Sequence, residues 1–150
     1  MSTILNISEI MIKYTHSVPL LNRPKITNPQ DSYKIILPLF NQDMLNIREE
    51  AVAIYLNRRN RVIGGLKLSS GGISGTVVDI KLLLSVALKC LASGIILAHN
   101  HPSGELSPSK SDLAVTEQLK QAAKLIDISL LDHLILGHNS YYSFADEGLI

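Results

Sequence analysis

Between positions 99 and 112 the chain reads HNHPSGELSPSKSD: two histidines, an aspartate, and a serine three residues before it. Two imidazoles and one carboxylate would leave a tetrahedral zinc ion a fourth position for water, the layout of a catalytic rather than a structural site. If His99 and His101 continue the extended backbone of the apolar run Ile95-Ile96-Leu97-Ala98, they share one face, because strand side chains alternate with period two. Ten residues then separate His101 from Asp112, enough for a loop to bring the carboxylate back on the first turn of the next helix. Two other readings stay open. Ser109-x-x-Asp112 also fits a helix-capping box with Asp112 in place of glutamate, and a histidine pair in a polar loop can simply face water, as His16 and His138 are read to do. The literal string His-Asn-His is not the nuclease motif of that name, whose residues are spread along a hairpin and a helix. A cytidine-deaminase zinc site is excluded too, since it needs two further cysteines and the chain has only Cys90.

These residues need elements to position them. Asn28 can cap a helix over Pro29 to Leu45, with Pro38 kinking or shortening it. Ala51–Leu56 and Val62–Leu68 flank Asn57-Arg58-Arg59-Asn60 as two strands joined by a hairpin, and the glycine-rich stretch 69–76 suggests bends. Leu83, Leu84, Val86, Ala87 and Leu91 recur at helical spacing over Ile80–Leu91, stopped by Ser93-Gly94. The run from Ile95 to Ala98 predicts a strand buried on both faces, with a polar loop beginning at His99. Asp112–Ile126 predicts a helix, Ile128–Leu136 a strand, and Tyr141–Phe144 a last one. Strand and helix alternating in this way is the signature of an α/β layered domain.

The totals set bounds. With 150 residues, 46% of them hydrophobic and 18% charged, the chain is one ordinary domain with a core. We divide it into an arm over residues 1–27, ending in a proline-bearing connector, and a domain over residues 28–150. A formal charge of +1 provides no strong pull toward nucleic acid or acidic membrane. The opening MSTILNISEIMIKYTH does not read as a secretion signal, and no run approaches the roughly 20 apolar residues of a membrane span. A single cysteine excludes an internal disulfide framework, and the expected compartment is the cytoplasm.

The segment resembles the JAMM metal-binding motif of the JAB/MPN superfamily, His-x-His-x(10)-Asp with a serine three before the aspartate, as it occurs in RadC-like proteins. The likeness extends through His99 to Gly104, Pro108-Ser109 to Asp112, Leu131-Asp132-His133-Leu134 and Tyr142-Ser143, covering roughly residues 28 to 150. It implies a three-layer α/β/α, cytidine-deaminase-like fold with a central mixed sheet. It implies one zinc ion per chain held by His99, His101 and Asp112, with Ser109 placed to stabilise an oxyanion. By the same likeness Asn100, Ser103 and Gly104 shape the loop, and Asp132 and His133 form a typical pair, read here as hydrogen-bonded within a strand.

One departure matters. Hydrolytic members of the superfamily use a glutamate on an upstream strand to take a proton from the zinc-bound water, and alignment to the RadC pattern puts Lys67 at that position. An ammonium cannot accept a proton, so Glu105 in the loop is the substitute to consider, while Glu49 and Glu50 read as surface charges. Two functions follow. One is a zinc-dependent hydrolase of peptidase type acting on an unidentified peptide or protein. The other is a recognition module without turnover that engages protein or nucleic acid, with Arg58, Arg59 and Arg61 at the hairpin tip as phosphate contacts. The DNA-repair link carried by the RadC name has little local support, because residues 1–27 leave no room for the helix-hairpin-helix region of longer RadC-like proteins.

Overall fold

A computed structural model describes residues 6–11, 13–15, 17–71 and 78–150. His16 and residues 72–76 of the glycine-rich stretch lie outside the described residues. The elements run α1 (Pro29–Ile36), β1 (Glu50–Leu56), β2 (Val62–Ser70), α2 (Ile80–Lys89), β3 (Gly94–Asn100), α3 (Lys110–Leu125), β4 (Ser129–Gly137) and β5 (Ser140–Ser143). Among the described residues they form one mixed sheet in the order β2-β1-β3-β4-β5, with β3 and β4 parallel and every other pair antiparallel. The parallel step follows from α3, which carries the chain from one end of β3 back to the start of β4.

Two apolar layers sandwich the sheet, as the α/β/α expectation requires. On one face Ala53, Tyr55, Ile95 and Leu97 pack against Leu83 and Ala87 of α2 and Leu119 and Ala123 of α3. On the other, Val52, Ile54, Ile96, Ala98 and Leu134 pack against Ile36 of α1 and Phe40. Consecutive strand residues thus belong to opposite layers. Among the described residues no helix is long and apolar enough to cross a membrane.

Several boundaries differ from the sequence reading. The first helix ends at Ile36 rather than Leu45, because Pro38 lacks the donor an α-helix needs and the chain tightens into a 3-10 turn over Leu37–Leu39. The helix after the hairpin stops at Lys89, not at Ser93-Gly94: Leu91 turns to φ 55°, and Gly94 already belongs to β3. The strand β3 does not give way to a loop at His99. It pairs through Asn100, and the His101 amide extends the ladder by donating to the Leu136 carbonyl at 3.0 Å. Between β1 and β2 the register slips from Ala51↔Ser69 to Val52↔Lys67, which leaves Leu68 as the extra residue of a bulge.

The connector joins the sheet edge before α1 begins. Ile26 is buried, its amide donates to Asn60, and Pro24 accepts from Val62. Arg61 donates to the Arg23 carbonyl at 2.9 Å, which removes it from the proposed cationic trio and leaves Arg58 and Arg59 exposed at the hairpin tip.

Candidate metal centre

His99 and His101 follow each other at the C-terminal end of β3, two residues apart and on the face covered by α3. Their Nε2 atoms lie 2.9 Å apart. Asp112, at the third position of α3, sets Oδ1 3.3 Å from His99 Nε2 and Oδ2 3.3 Å from His101 Nε2. Glu49, immediately before β1, brings Oε1 to 3.9 Å from His99 Nε2, because Ala51 pairs with His99 across the β1–β3 ladder. One ligand atom from each of these four residues falls within 4.8 Å of all the others.

The donor chemistry of this group fits a divalent ion. His101 Nδ1 bonds the Glu105 carbonyl, which can only accept, so Nδ1 carries a proton and the neutral ring presents its lone pair at Nε2. With both rings neutral and their Nε2 atoms bare, four acceptor atoms would face one point. Adjacent ligand atoms of a tetrahedral zinc ion lie about 3.3 Å apart at bond lengths near 2.0–2.1 Å. The separations among His99, His101 and Asp112 sit near that edge, and Glu49 stands farther out.

Geometry suited to metal ligation and the helix cap, which compete in the sequence, coexist here. Ser109 Oγ accepts from the Asp112 amide at 3.0 Å, while Asp112 Oδ2 accepts from the Ser109 amide at 2.8 Å. The box locks the carboxylate that faces the histidines. Burial opposes ionisation of Asp112, but its bonds to His101 and His99 outweigh that and hold the carboxyl far below the usual range. The same contact with Asp112 raises His101. Burial raises the Glu49 carboxyl, so it holds a proton more readily than a surface glutamate.

An open cleft of about 380 Å³ lies over the group, lined by Glu49, Val78, His99, Ser111, Asp112, Val115, Gln118 and His133. Ser111 lines it, whereas Ser109 Oγ is held by the cap and lies 3.3 Å from Ser111 Oγ.

Three expected assignments are corrected. Lys67 does not reach this face. The bulge puts it opposite Val52, in the layer of α1, where its Nζ lies 2.7 Å from Glu50 Oε2. Glu49 and Glu50 are not surface charges: Glu50 is 1% exposed, and its carboxylate also accepts from the Asn41 amide and Ser70 Oγ. Glu105 is exposed and its carboxylate accepts from Ser107, so it serves the site through its carbonyl alone.

The neighbouring residues also find their tasks. Asn100 grips the segment that carries Glu49, accepting from the Glu50 amide at 2.7 Å and donating to the Leu45 and Arg48 carbonyls. Gly104 turns the loop at φ 82°, a conformation that favours glycine. Asp132 and His133 do not pair side chain to side chain. Asp132 accepts from the His133 amide and from Ser143 Oγ, while the His133 ring turns to the other face and meets His99 at 2.8 Å. Burial raises Asp132 and holds His133 well below its ordinary value, so that ring is neutral.

Sequence reasoning missed Glu49, Thr116 and the link from His133 to His99. The available signals were the glutamate doublet ahead of a strand, which must divide between two faces, and a threonine one helical turn after Asp112.

Comparison with known proteins agrees with this geometry. Residues 26–149 match the model of the RadC-like JAB domain. A UPF0758 protein of Flavobacterium johnsoniae is 43% identical over 130 residues, covering 87% of this chain and 56% of that protein. UPF0758 protein YeeS of Escherichia coli is 48% identical over 103 residues, 69% of this chain and 70% of that one. A relative in Methanosarcina mazei is 34% identical over 126 residues, 84% of this chain and 54% of its own. The chain spans about half the length of several of the curated relatives it matches. With a match over the whole sheet and a His-His-Asp group with Glu49 beside it, the chain belongs to the family of RadC-like JAB domains.

Proposed function

We propose that the domain is a zinc-dependent hydrolase of peptide or isopeptide bonds, with His99, His101 and Asp112 as ligands and Glu49 as general base. The observation that carries this reading is the Glu49 carboxylate, which lines the open cleft and stands 3.9 Å from His99 Nε2, farther out than the 2.9–3.3 Å contacts among the three ligand residues. A bound zinc ion supplies Lewis-acid polarisation of a carbonyl and lowers the pKa of water. Glu49 Oε1 accepts the proton of the attacking water and returns it to the departing amine, a double task suited to a carboxyl raised by burial. Asn100 keeps Glu49 in reach by holding the backbone on either side of it. Val78, Val115 and Gln118 form walls against which a substrate chain can lie. The hydrogen of the Ser109 hydroxyl, whose oxygen accepts from the Asp112 amide, is our donor to the tetrahedral oxyanion, and Ser111 on the cleft wall is the alternative donor.

The test is Glu49→Gln in zinc-loaded protein assayed on a panel of peptides and isopeptides. Zinc content should stay near one equivalent while turnover falls by about 100- to 10,000-fold, the usual worth of general base assistance. Unchanged turnover would remove Glu49 from the chemistry. A wild type that holds zinc and cleaves nothing on the panel would favour the recognition module, for which the exposed Arg58 and Arg59 remain as contacts at the opposite end of the strands.

A further inference from the structure

From the Nδ1 side of His99 a chain of three bonds runs through His133 into α3. His99 Nδ1 lies 2.8 Å from His133 Nε2, His133 Nδ1 lies 2.6 Å from Thr116 Oγ1, and Thr116 Oγ1 lies 2.6 Å from the Asp112 carbonyl. Ring nitrogens and a hydroxyl can each give or take a hydrogen. A backbone carbonyl can only accept, so the last bond fixes the sense of all the others.

We propose that Thr116 and His133 set the tautomer of His99 and thereby hold its Nε2 lone pair toward the metal. The Thr116 hydroxyl spends its one hydrogen on the Asp112 carbonyl and must accept from His133 Nδ1. His133 Nε2 is therefore bare, takes the hydrogen of His99 Nδ1, and leaves His99 Nε2 without one. His133 is wholly buried, stacked on Phe144 with ring centroids 4.6 Å apart, so no solvent exposure offers its nitrogens another partner. Thr116 is 3% exposed. The arrangement begins and ends on ligand residues: the Asp112 side chain faces the ion while its carbonyl anchors the tautomer of His99. Thr116 and His133 are positioning residues, and this role rests on the metal-site reading above. Outer partners of this kind commonly change metal affinity about 10- to 100-fold when removed.

Thr116→Val is the discriminating variant, because it keeps the shape and removes the hydroxyl. His133 can then carry its hydrogen on Nε2, which obliges His99 to accept at Nδ1 and to hold a hydrogen at Nε2, where the ion belongs. Zinc affinity, measured by competition with a chromophoric chelator on the full chain, should fall about 10- to 100-fold. Thr116→Ser should restore it to within a few-fold. His133→Gln, whose amide oxygen can accept from His99 Nδ1, should retain more affinity than His133→Phe, which offers no acceptor. Long-range proton–nitrogen correlation spectra of the zinc-loaded wild type should find His133 protonated on Nδ1 and bare on Nε2, a signature that a purely packing role does not require. This measurement decides the question if Thr116→Val fails to fold. Folded Thr116→Val with wild-type affinity, or a His133 hydrogen on Nε2, overturns the relay and leaves the metal site standing. A wild type that takes up no zinc overturns the site itself, and the relay with it.

Discussion

Glu49 and Glu50 are adjacent in the chain, and the sheet sends them to opposite tasks. Glu49 meets His99, His101 and Asp112 at an open cleft, and burial raises its carboxyl against the weaker attraction of His99 and His101. Glu50 enters the α1 layer, where burial also penalises its charge, but Lys67, the Asn41 amide and Ser70 overcome that and lower it. One carboxylate faces the histidines at the cleft and the other is held by a lysine, an amide and a hydroxyl. The difference teaches that a candidate for catalysis is recognised less by how deeply its carboxylate is buried than by which partners its oxygens have.

The strongest way to break the comparison is to remove the centre that distinguishes the two faces. His99→Ala combined with His101→Ala should take zinc from about one equivalent per chain to none, read by metal analysis after purification. Next in size comes the glutamate pair itself. Glu49→Gln should abolish most turnover with little change in thermal stability. Glu50→Gln should leave the chemistry in place and destabilise by about 1–3 kcal/mol in urea unfolding, since it disturbs a buried hydrogen-bonded charge. Equal effects of the two substitutions on turnover would erase the distinction.

Lys67 sharpens it further. Lys67→Met strips the cation from Glu50 and should cost about 1–2 kcal/mol, less than a fully buried pair because Lys67 is 41% exposed. Lys67→Glu should be less stable still, placing two carboxylates side by side, and should not raise hydrolysis; a gain in turnover would return position 67 to the active face. The smallest effect is in the pH dependence. Glu50 is lowered in the folded chain, so its contribution is present above the unfolded value of about 4.3 and is lost as pH falls through the lowered one. The stability gap between wild type and Lys67→Met should therefore be full near pH 6 and narrow below about pH 4 in urea titrations at stepped pH.

Much of the site was legible before the fold. His99 and His101 share a face because β3 extends further than its apolar residues alone suggested, and Asp112 returns on the first turn of α3 as its serine cap implies. The reading of Lys67 failed on one residue. Without the bulge at Leu68, Lys67 would stand opposite Ala53, on the face of His99. With it, Lys67 stands opposite Val52 and turns to Glu50.

The sequence by itself determined the order of strands and helices, and the types and spacing of the candidate ligands along the chain, because hydrophobic period, capping residues and imidazole chemistry are local properties. Only the tertiary structure decided which of two adjacent glutamates looks into the cleft, where Lys67 points, and that His133 and Thr116 stand behind His99. Those outcomes depend on strand register, and a strand with apolar layers on both faces carries no alternation to declare it; a slip of one residue exchanges the two faces while leaving every local preference intact.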